Sequence, residues 1–443
     1  MAETLPDDRA PLRPMADGTV KQRNPFTGTE VWTVPGRGNR PLAMSRPPAR
    51  PLDPAEHDRH CAFCAGRLEE TPPEKARLVL TDDGGAEILR HVPVDRLEET
   101  VAEFRRVPNL FEILSYDYWH ANHGYELPPE VARRRDEYLA TDAGRAHVLA
   151  VVGTKLRASG LPSEQVEAMP EQARIAAASG FFGGGHDVIV ARRHFVDRAG
   201  DDHQLAGSGT LTPDEHARFI AFTADAARAL YAVNQHVRYV SVFQNWLKPA
   251  GASFDHLHKQ LVAIDEIGAQ NESALARLAE DPDVFNRVAV DVAVEEGLVI
   301  AANEHAVMFG GFGHRYPTVE IYSTSPTSEP WDQSEEELRG MSDLIHAAHA
   351  ATGVDTPCNE EWHTRPAGIE QAMPWRVMLK WRVSTLAGFE GATKINVNTI
   401  SPWGVQERMV ERLRTLRAEG RIAAGVRIGD EARVRRGSLR NNG

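Results

Sequence analysis

The chain has 443 residues, 42% of them hydrophobic and 26% charged, with a formal net charge of -13. Such a balance is ordinary for a globular protein of two or three domains. The acidic excess excludes a nucleic-acid scaffold, which needs clustered Lys and Arg, but leaves room for a nucleotide, which needs only a few local cations. No apolar run approaches the roughly 18 residues of a membrane helix. Residues 1–15 hold no hydrophobic stretch and give no secretory signal. Three cysteines make no disulfide framework, so a reducing cytoplasm is expected.

In chain order, residues 1–20 read as a flexible tail and 36–58, rich in Pro, Arg and Gly, as a loop ordered by contact. The stretch 112–180 turns helical and polar. Gly183-Gly184-Gly185 lacks the Lys and helix of a phosphate loop and reads as a turn. A strand follows at Asp187-Val188-Ile189-Val190. Thr212-Pro213-Asp214-Glu215 has the cap, the first-turn proline and the acid of a helix start. Tyr239 to Phe243 is the next strand, then a histidine-bearing one ending in Leu261-Val262-Ala263-Ile264. The second half repeats this order more faintly: strands at 298–302, 318–322, 375–379 and 394–398, with helices from about 334 to 351 and 405 to 419. Strand, strand, helix, strand, strand in each half predicts a duplicated α+β unit, over 21–270 and 285–425, closed by a basic tail at 430–443.

Two segments carry chemistry. On a strand, alternate residues share a face, so His256, His258 and Gln260 are expected to aim two imidazoles and an amide at one place. One ring suits nucleophilic attack or metal binding, and the amide suits donation to an oxygen that gains charge. Cys61-Ala62-Phe63-Cys64 has the spacing by which two thiolates grip one Zn²⁺ in a tight turn. Without a second cysteine pair the remaining ligands must be histidines, among His57, His60, His194, His203 and His256.

Several motifs then coincide in order. Arg23-Asn24-Pro25-Phe26-Thr27-Gly28 and Pro35-Gly36-Arg37-Gly38-Asn39-Arg40 precede the cysteine pair; Asn109-Leu110-Phe111, His194, Phe243-Gln244-Asn245 and Ser253 through Gln260 follow; Asn303-Glu304-His305, Glu361-Trp362-His363 and Lys394 to Gln406 lie in the second half. Together they resemble the galactose-1-phosphate uridylyltransferase family of the histidine-triad superfamily, across residues 22–415. The resemblance implies two histidine-triad-like halves, each an antiparallel sheet with packed helices. It makes His258 the nucleophile that forms a nucleotidyl-histidine, with Gln260 donating to a phosphoryl oxygen. Cys61, Cys64, His194 and His256 would hold one structural Zn²⁺ per chain. Arg37, Arg40, Asn109, Asn245 and Ser253 would line the nucleotide and phosphate site, and Lys394, Val397 and Gln406 would reach in toward the sugar phosphate.

The expected activity is transfer of a nucleoside monophosphate from a nucleotide-sugar to a phosphorylated acceptor. The rival readings are an ADP-sugar or dinucleoside polyphosphate phosphorylase or hydrolase, and a non-catalytic nucleotide-binding protein. Neither membrane nor nucleic acid is an expected partner; a homodimer is left open. The chain departs from the family in carrying Leu257 and Lys259 for proline and glycine, Lys380 and Arg382 where some members place metal-binding histidines, and Ile400 for a glutamate near the sugar. Lys259 would add a phosphate contact or lie solvated on the surface. No second metal is expected. The long 112–180 segment would serve as a lid, a dimer contact or an altered acceptor pocket.

Overall fold

The computed structural model describes residues 10–36, 47–384 and 386–440. Among the described residues the strands are β1 (Leu12–Pro14), β2 (Val20–Arg23), β3 (Glu30–Thr33), β4 (Ala76–Leu80), β5 (Ala86–Arg90), β6 (Ala102–Pro108), β7 (His186–Ala191) and β8 (Tyr239–Trp246). They continue as β9 (His258–Ile264), β10 (Val299–Ala302), β11 (Ala306–Gly310), β12 (Thr318–Ser323), β13 (Cys358–His363), β14 (Arg376–Trp381), β15 (Ile395–Asn398) and β16 (Arg427–Ile428). The helices are α1 (Tyr116–His123), α2 (Pro129–Ala140), α3 (Asp142–Ala158), α4 (Ser163–Ala168), α5 (Glu171–Ala176), α6 (Ser179–Gly183), α7 (Pro213–Val233), α8 (Ala269–Glu280), α9 (Asp291–Glu295), α10 (Glu335–Thr352), α11 (Gly388–Thr393) and α12 (Pro402–Ala418).

Twelve strands form one sheet in the order β16-β10-β11-β12-β14-β13-β8-β9-β7-β6-β4-β5. Its centre is the antiparallel pairing of β8 with β13, in which Asn245 faces Asn359. Outward from that seam one half runs β8-β9-β7-β6 and the other β13-β14-β12-β11, the same ladder twice. Each half inserts one long helix between its second and third strands, and the two helices start alike. Thr212 accepts from the Glu215 N–H at the head of α7, and Ser334 from the Glu337 N–H at the head of α10. In both, the acid reaches back to the cap N–H. The α7 and α10 helices pack together over the seam, with His216 Nδ1 2.7 Å from Ser342 Oγ. The expected α+β fold with two antiparallel halves is present, and the halves share one sheet.

Several boundaries differ from expectation. Residues 10–20, read as tail, include β1 and open β2; Leu12 pairs with Gln22 because its side chain is buried. The basic end is also tied down: Leu439 is buried and exchanges backbone bonds with the Asn286 side chain. The second half closes with β13 and β14, whereas β15 leaves to pair in parallel with β3 in the small sheet β1-β2-β3-β15. The polar run Cys358-Asn359-Glu360-Glu361 hid β13, since half of its side chains meet charged partners where apolar ones are expected. The 112–180 segment folds into α1–α5 and continues into α6, with a small core of Val148, Val151, Val152, Ala178 and Phe181.

Candidate active site

The Cys61–Cys64 turn is folded against the end of β7 and the residues before β9. The two sulfurs are 3.8 Å apart. His194 Nδ1 lies 3.4 Å from each sulfur, and His256 Nδ1 lies 3.5 Å from Cys61 Sγ and 3.8 Å from Cys64 Sγ. A tetrahedron with Zn–S of about 2.3 Å and Zn–N of about 2.05 Å has S–S edges of about 3.8 Å and S–N edges of about 3.6 Å. The four donors thus have the spacing and chemistry of a zinc site. Hydrogen bonding to Cys61 pulls the Cys64 thiol down, and the same contact pushes Cys61 up. His256 Nε2–H donates to the Ala191 carbonyl at 2.6 Å, which leaves Nδ1 as the ligand atom. The other candidates turn elsewhere: His57 Nε2 to the Ala199 carbonyl, His60 edge-on to His194, and His203 beside Asp202.

His258 opens β9 and His256 precedes the strand; the His256 ring joins the cysteine cluster, and both rings meet Phe63. The His256 carbonyl accepts from His258 Nδ1–H at 2.7 Å. That bond fixes the tautomer: Nε2 carries the lone pair and is free to attack. Burial pulls the His258 pKa down to about 4, so the ring is neutral near pH 7. Phe63, from the cysteine turn, stands 5.3 Å from it, ring to ring.

Gln260 lies two residues on, on the same face. The Ile113 N–H donates to His186 Nδ1 at 3.2 Å, which makes His186 Nε2 the protonated atom. It donates to Gln260 Oε1 at 3.1 Å; Asn109 Nδ2 lies 3.0 Å from the same His186 nitrogen and reaches the Gln260 oxygen at 3.5 Å. With its carbonyl so occupied, Gln260 is left to present its NH₂ outward. The sequence motifs do not mark His186. Its alternation with Asp187 on β7, opposite Gln260's neighbours on β9, was the signal available.

Lys259 is neither solvated nor a phosphate contact. Pleating turns it to the opposite face, fully buried, where Nζ is 2.5 Å from Glu360 Oε1 and 3.2 Å from Gln244 Oε1. His349 Nε2 holds the other Glu360 oxygen at 2.7 Å. This buried network ties the nucleophile's strand to β13 of the other half.

Asn245 Oδ1 accepts from Asn359 Nδ2 at 2.6 Å, and Asn359 Oδ1 accepts from Arg382 at 2.7 Å, leaving the Asn245 NH₂ as donor. Both asparagines line a cavity of about 550 Å³ over the seam, beside β9, with Phe243, Glu361, His363 and Arg382. Lys380 is paired with Glu361 at 2.5 Å. Ser253 is exposed in the loop before His256. Arg37 and Arg40 lie outside the described residues. Lys394, Val397 and Gln406 are not brought to His258. Lys394 caps α11 in solvent, Val397 pairs with Trp32 in the small sheet, and Gln406 donates to the Val299 carbonyl. Asn398 fixes that region to the His314 carbonyl beside β12, and β12 is four strand spacings from β9, about 19 Å.

A family model described as "Domain of unknown function (DUF4921)" matches residues 15–441. The chain belongs to that family. The DUF4921 chain is also 23% identical over 402 residues to an ADP-glucose phosphorylase from Arabidopsis thaliana, covering 88% of this chain and 92% of the relative. Among solved structures, an Arabidopsis thaliana ADP-glucose phosphorylase with bound ADP-glucose superposes with a TM-score of 0.56 at 18% identity, over 88% of this chain and 97% of that one. A GalT-like protein from the same plant gives 0.53 at 16% identity, over 88% and 98%. These likenesses carry the fold.

Proposed function

We propose that this DUF4921 protein is a nucleotidyltransferase that takes a nucleoside diphosphate sugar as donor. His258 Nε2 attacks the α-phosphorus, the bond to the sugar phosphate breaks, and a sugar 1-phosphate leaves. An acceptor phosphate oxygen then attacks the same phosphorus, the P–N bond breaks and the imidazole is restored. No proton has to be removed from the nucleophile, because Nε2 starts with its lone pair free. Gln260 and Asn245 offer amide donors to the phosphoryl oxygens where charge builds. One structural zinc ion held by Cys61, Cys64, His194 and His256 would fix the loop that carries Phe63 against His258. The single observation that carries this reading is the His258 tautomer, set by the His256 carbonyl, beside a glutamine whose NH₂ is left free on the same face.

The likeness to ADP-glucose phosphorylase along 88% of the chain favours inorganic phosphate as acceptor over a sugar phosphate, and an ADP-sugar over a UDP-sugar as donor. The decisive experiment supplies ADP-glucose and UDP-glucose labelled at the α-phosphorus, without acceptor. Acid-labile label on the protein from either, lost in His258→Ala, supports the transferase. Discharge of that label by phosphate, but not by hexose phosphates, selects the phosphorylase. Absence of label from both donors would point to a non-catalytic nucleotide-binding protein.

A further inference from the structure

The cavity of about 550 Å³ over the β8–β13 seam adjoins the nucleophile, and its far end has no part in the chemistry so far. Phe243 on β8 faces Gln260 on β9 and Glu361 on β13. Continuing the β8–β9 register by two residues sets Asn245 opposite His258, about 5 Å away. Pleating puts Ser241, Phe243 and Asn245 on the face that carries His258 and Gln260, and all three are half-exposed there.

A nucleoside diphosphate sugar has two unlike ends, an aromatic base and a polyhydroxyl sugar. The two sides of His258 are unlike in the same way. On the β7 side stand Phe63, 4.7 Å from the Phe254 ring, and the valines Val107, Val188 and Val190. On the seam side polar groups converge. Glu361 Oε2 accepts from Lys380, which leaves Oε1 as an acceptor. Among the described residues, that oxygen, the Ser241 hydroxyl and the Gln270 amide meet no hydrogen-bonding partner in the protein. A carboxylate oxygen, a hydroxyl and an amide beside the Phe243 ring can both accept from and donate to sugar hydroxyls.

The charges of the lining add a second constraint. Lys380 neutralises Glu361, and burial holds His363 down to about 4, so it is neutral near pH 7. Arg382 donates to Asn359 Oδ1 at 2.7 Å and stacks 4.8 Å from the Tyr316 ring, and among the described residues it pairs with no carboxylate. One cation is thus left over, beside the Asn245–Asn359 pair that lies in the same row as His258. An arginine fork there suits phosphate oxygens.

We propose that this cavity seats the sugar 1-phosphate half of the donor, its phosphate at Asn245 and Arg382 and its hydroxyls at Glu361, Ser241 and Gln270. The proposal rests on the transferase reading of His258. It gives the sugar end a site within one chain, at the seam of the two halves; Lys394, Val397 and Gln406 do not line it.

Glucose 1-phosphate is the probe, added at millimolar concentration to the full chain in a thermal melt, beside glucose alone and inorganic phosphate alone. A Tm rise of about 1–3 °C is expected, larger than with either part, in the wild type and in His258→Ala. It should vanish in Arg382→Gln and in Gln270→Trp, which puts an indole at the half-exposed mouth. The second variant decides if the first fails to fold. No rise in the wild type, a rise matched by phosphate alone, or a rise kept in both variants overturns the site. Glu361→Gln reads the sugar contact. Its labelling by ADP-glucose should fall at least about tenfold relative to labelling by ADP, which has the same α-phosphorus and no sugar. An unchanged ratio overturns the placement of the sugar. Cavity-dependent binding without label from any donor would keep the pocket and remove the transferase reading; label without cavity-dependent binding would do the reverse.

Discussion

The two halves of the sheet share one ladder, one helix placement and one capping device, yet the proposed nucleophile lies in the first. On the α7–α10 face they are continuous, with Ile189 and Leu261 in the same core as Ile321 and Leu379. On the other face they diverge. Over the second half, Phe26, Phe285 and Phe309 close a separate apolar cluster on Tyr322, and the buried Arg376 guanidinium lies 4.7 Å from the Phe285 ring and 5.5 Å from Phe26. Over the first half, among the described residues, Phe63 packs on Val107, Val188 and Val190, and the buried His258 ring stands beside it. The scaffold alone therefore does not make the chemistry. The proposed site lies where a cysteine turn covers the duplicated sheet, and the corresponding face of the second half is covered by an apolar cluster that includes Phe26 of the amino-terminal segment.

Breaking the chemical side of this contrast should have the largest effect. Replacing His258 with Ala should lower kcat at least about 10³-fold, as loss of a nucleophile does, with a Tm within a few degrees of wild type. Cys61→Ser should lose about one zinc per chain by elemental analysis and lower Tm markedly, because metal binding is folding energy. A variant that keeps both zinc and Tm would remove the cluster from the account.

The shared core face tests the next level. Lys259→Met and Glu360→Gln each leave one partner of a buried pair, and each should cost about 3–5 kcal/mol in urea unfolding. Lys259→Met/Glu360→Gln together should cost less than the sum. His186→Ala should lower kcat about tenfold with little change in KM, since it frees Gln260 to rotate. A loss confined to Tm would make His186 merely structural. The smallest effect belongs to the partly exposed Lys380–Glu361 pair at the edge of the seam cavity: Lys380→Met should cost under about 1 kcal/mol.

Much of this was legible in the residues. The Thr212 capping box, the apolar run of β7 and the strand after His258 are local signals, and local rules placed them. The cysteine spacing announced two ligands, and the family resemblance supplied the other two. What sequence hid was non-local. β13 reads as a polar loop until Glu360 is seen to meet Lys259 from another strand. His186 gains its role only when the Ile113 N–H fixes its tautomer. The reach of Lys394, Val397 and Gln406 toward the site is not met within one chain, because β15 pairs with β3 rather than extending the large sheet.

The most direct test is the intact mass of the protein after mixing with ADP-glucose or UDP-glucose and no acceptor. The account predicts a mass gain of one nucleoside monophosphate from at least one donor, mapped to His258 and released by an acceptor phosphate. An unmodified protein that nonetheless turns over the donor, or an adduct that persists in His258→Ala, would contradict it.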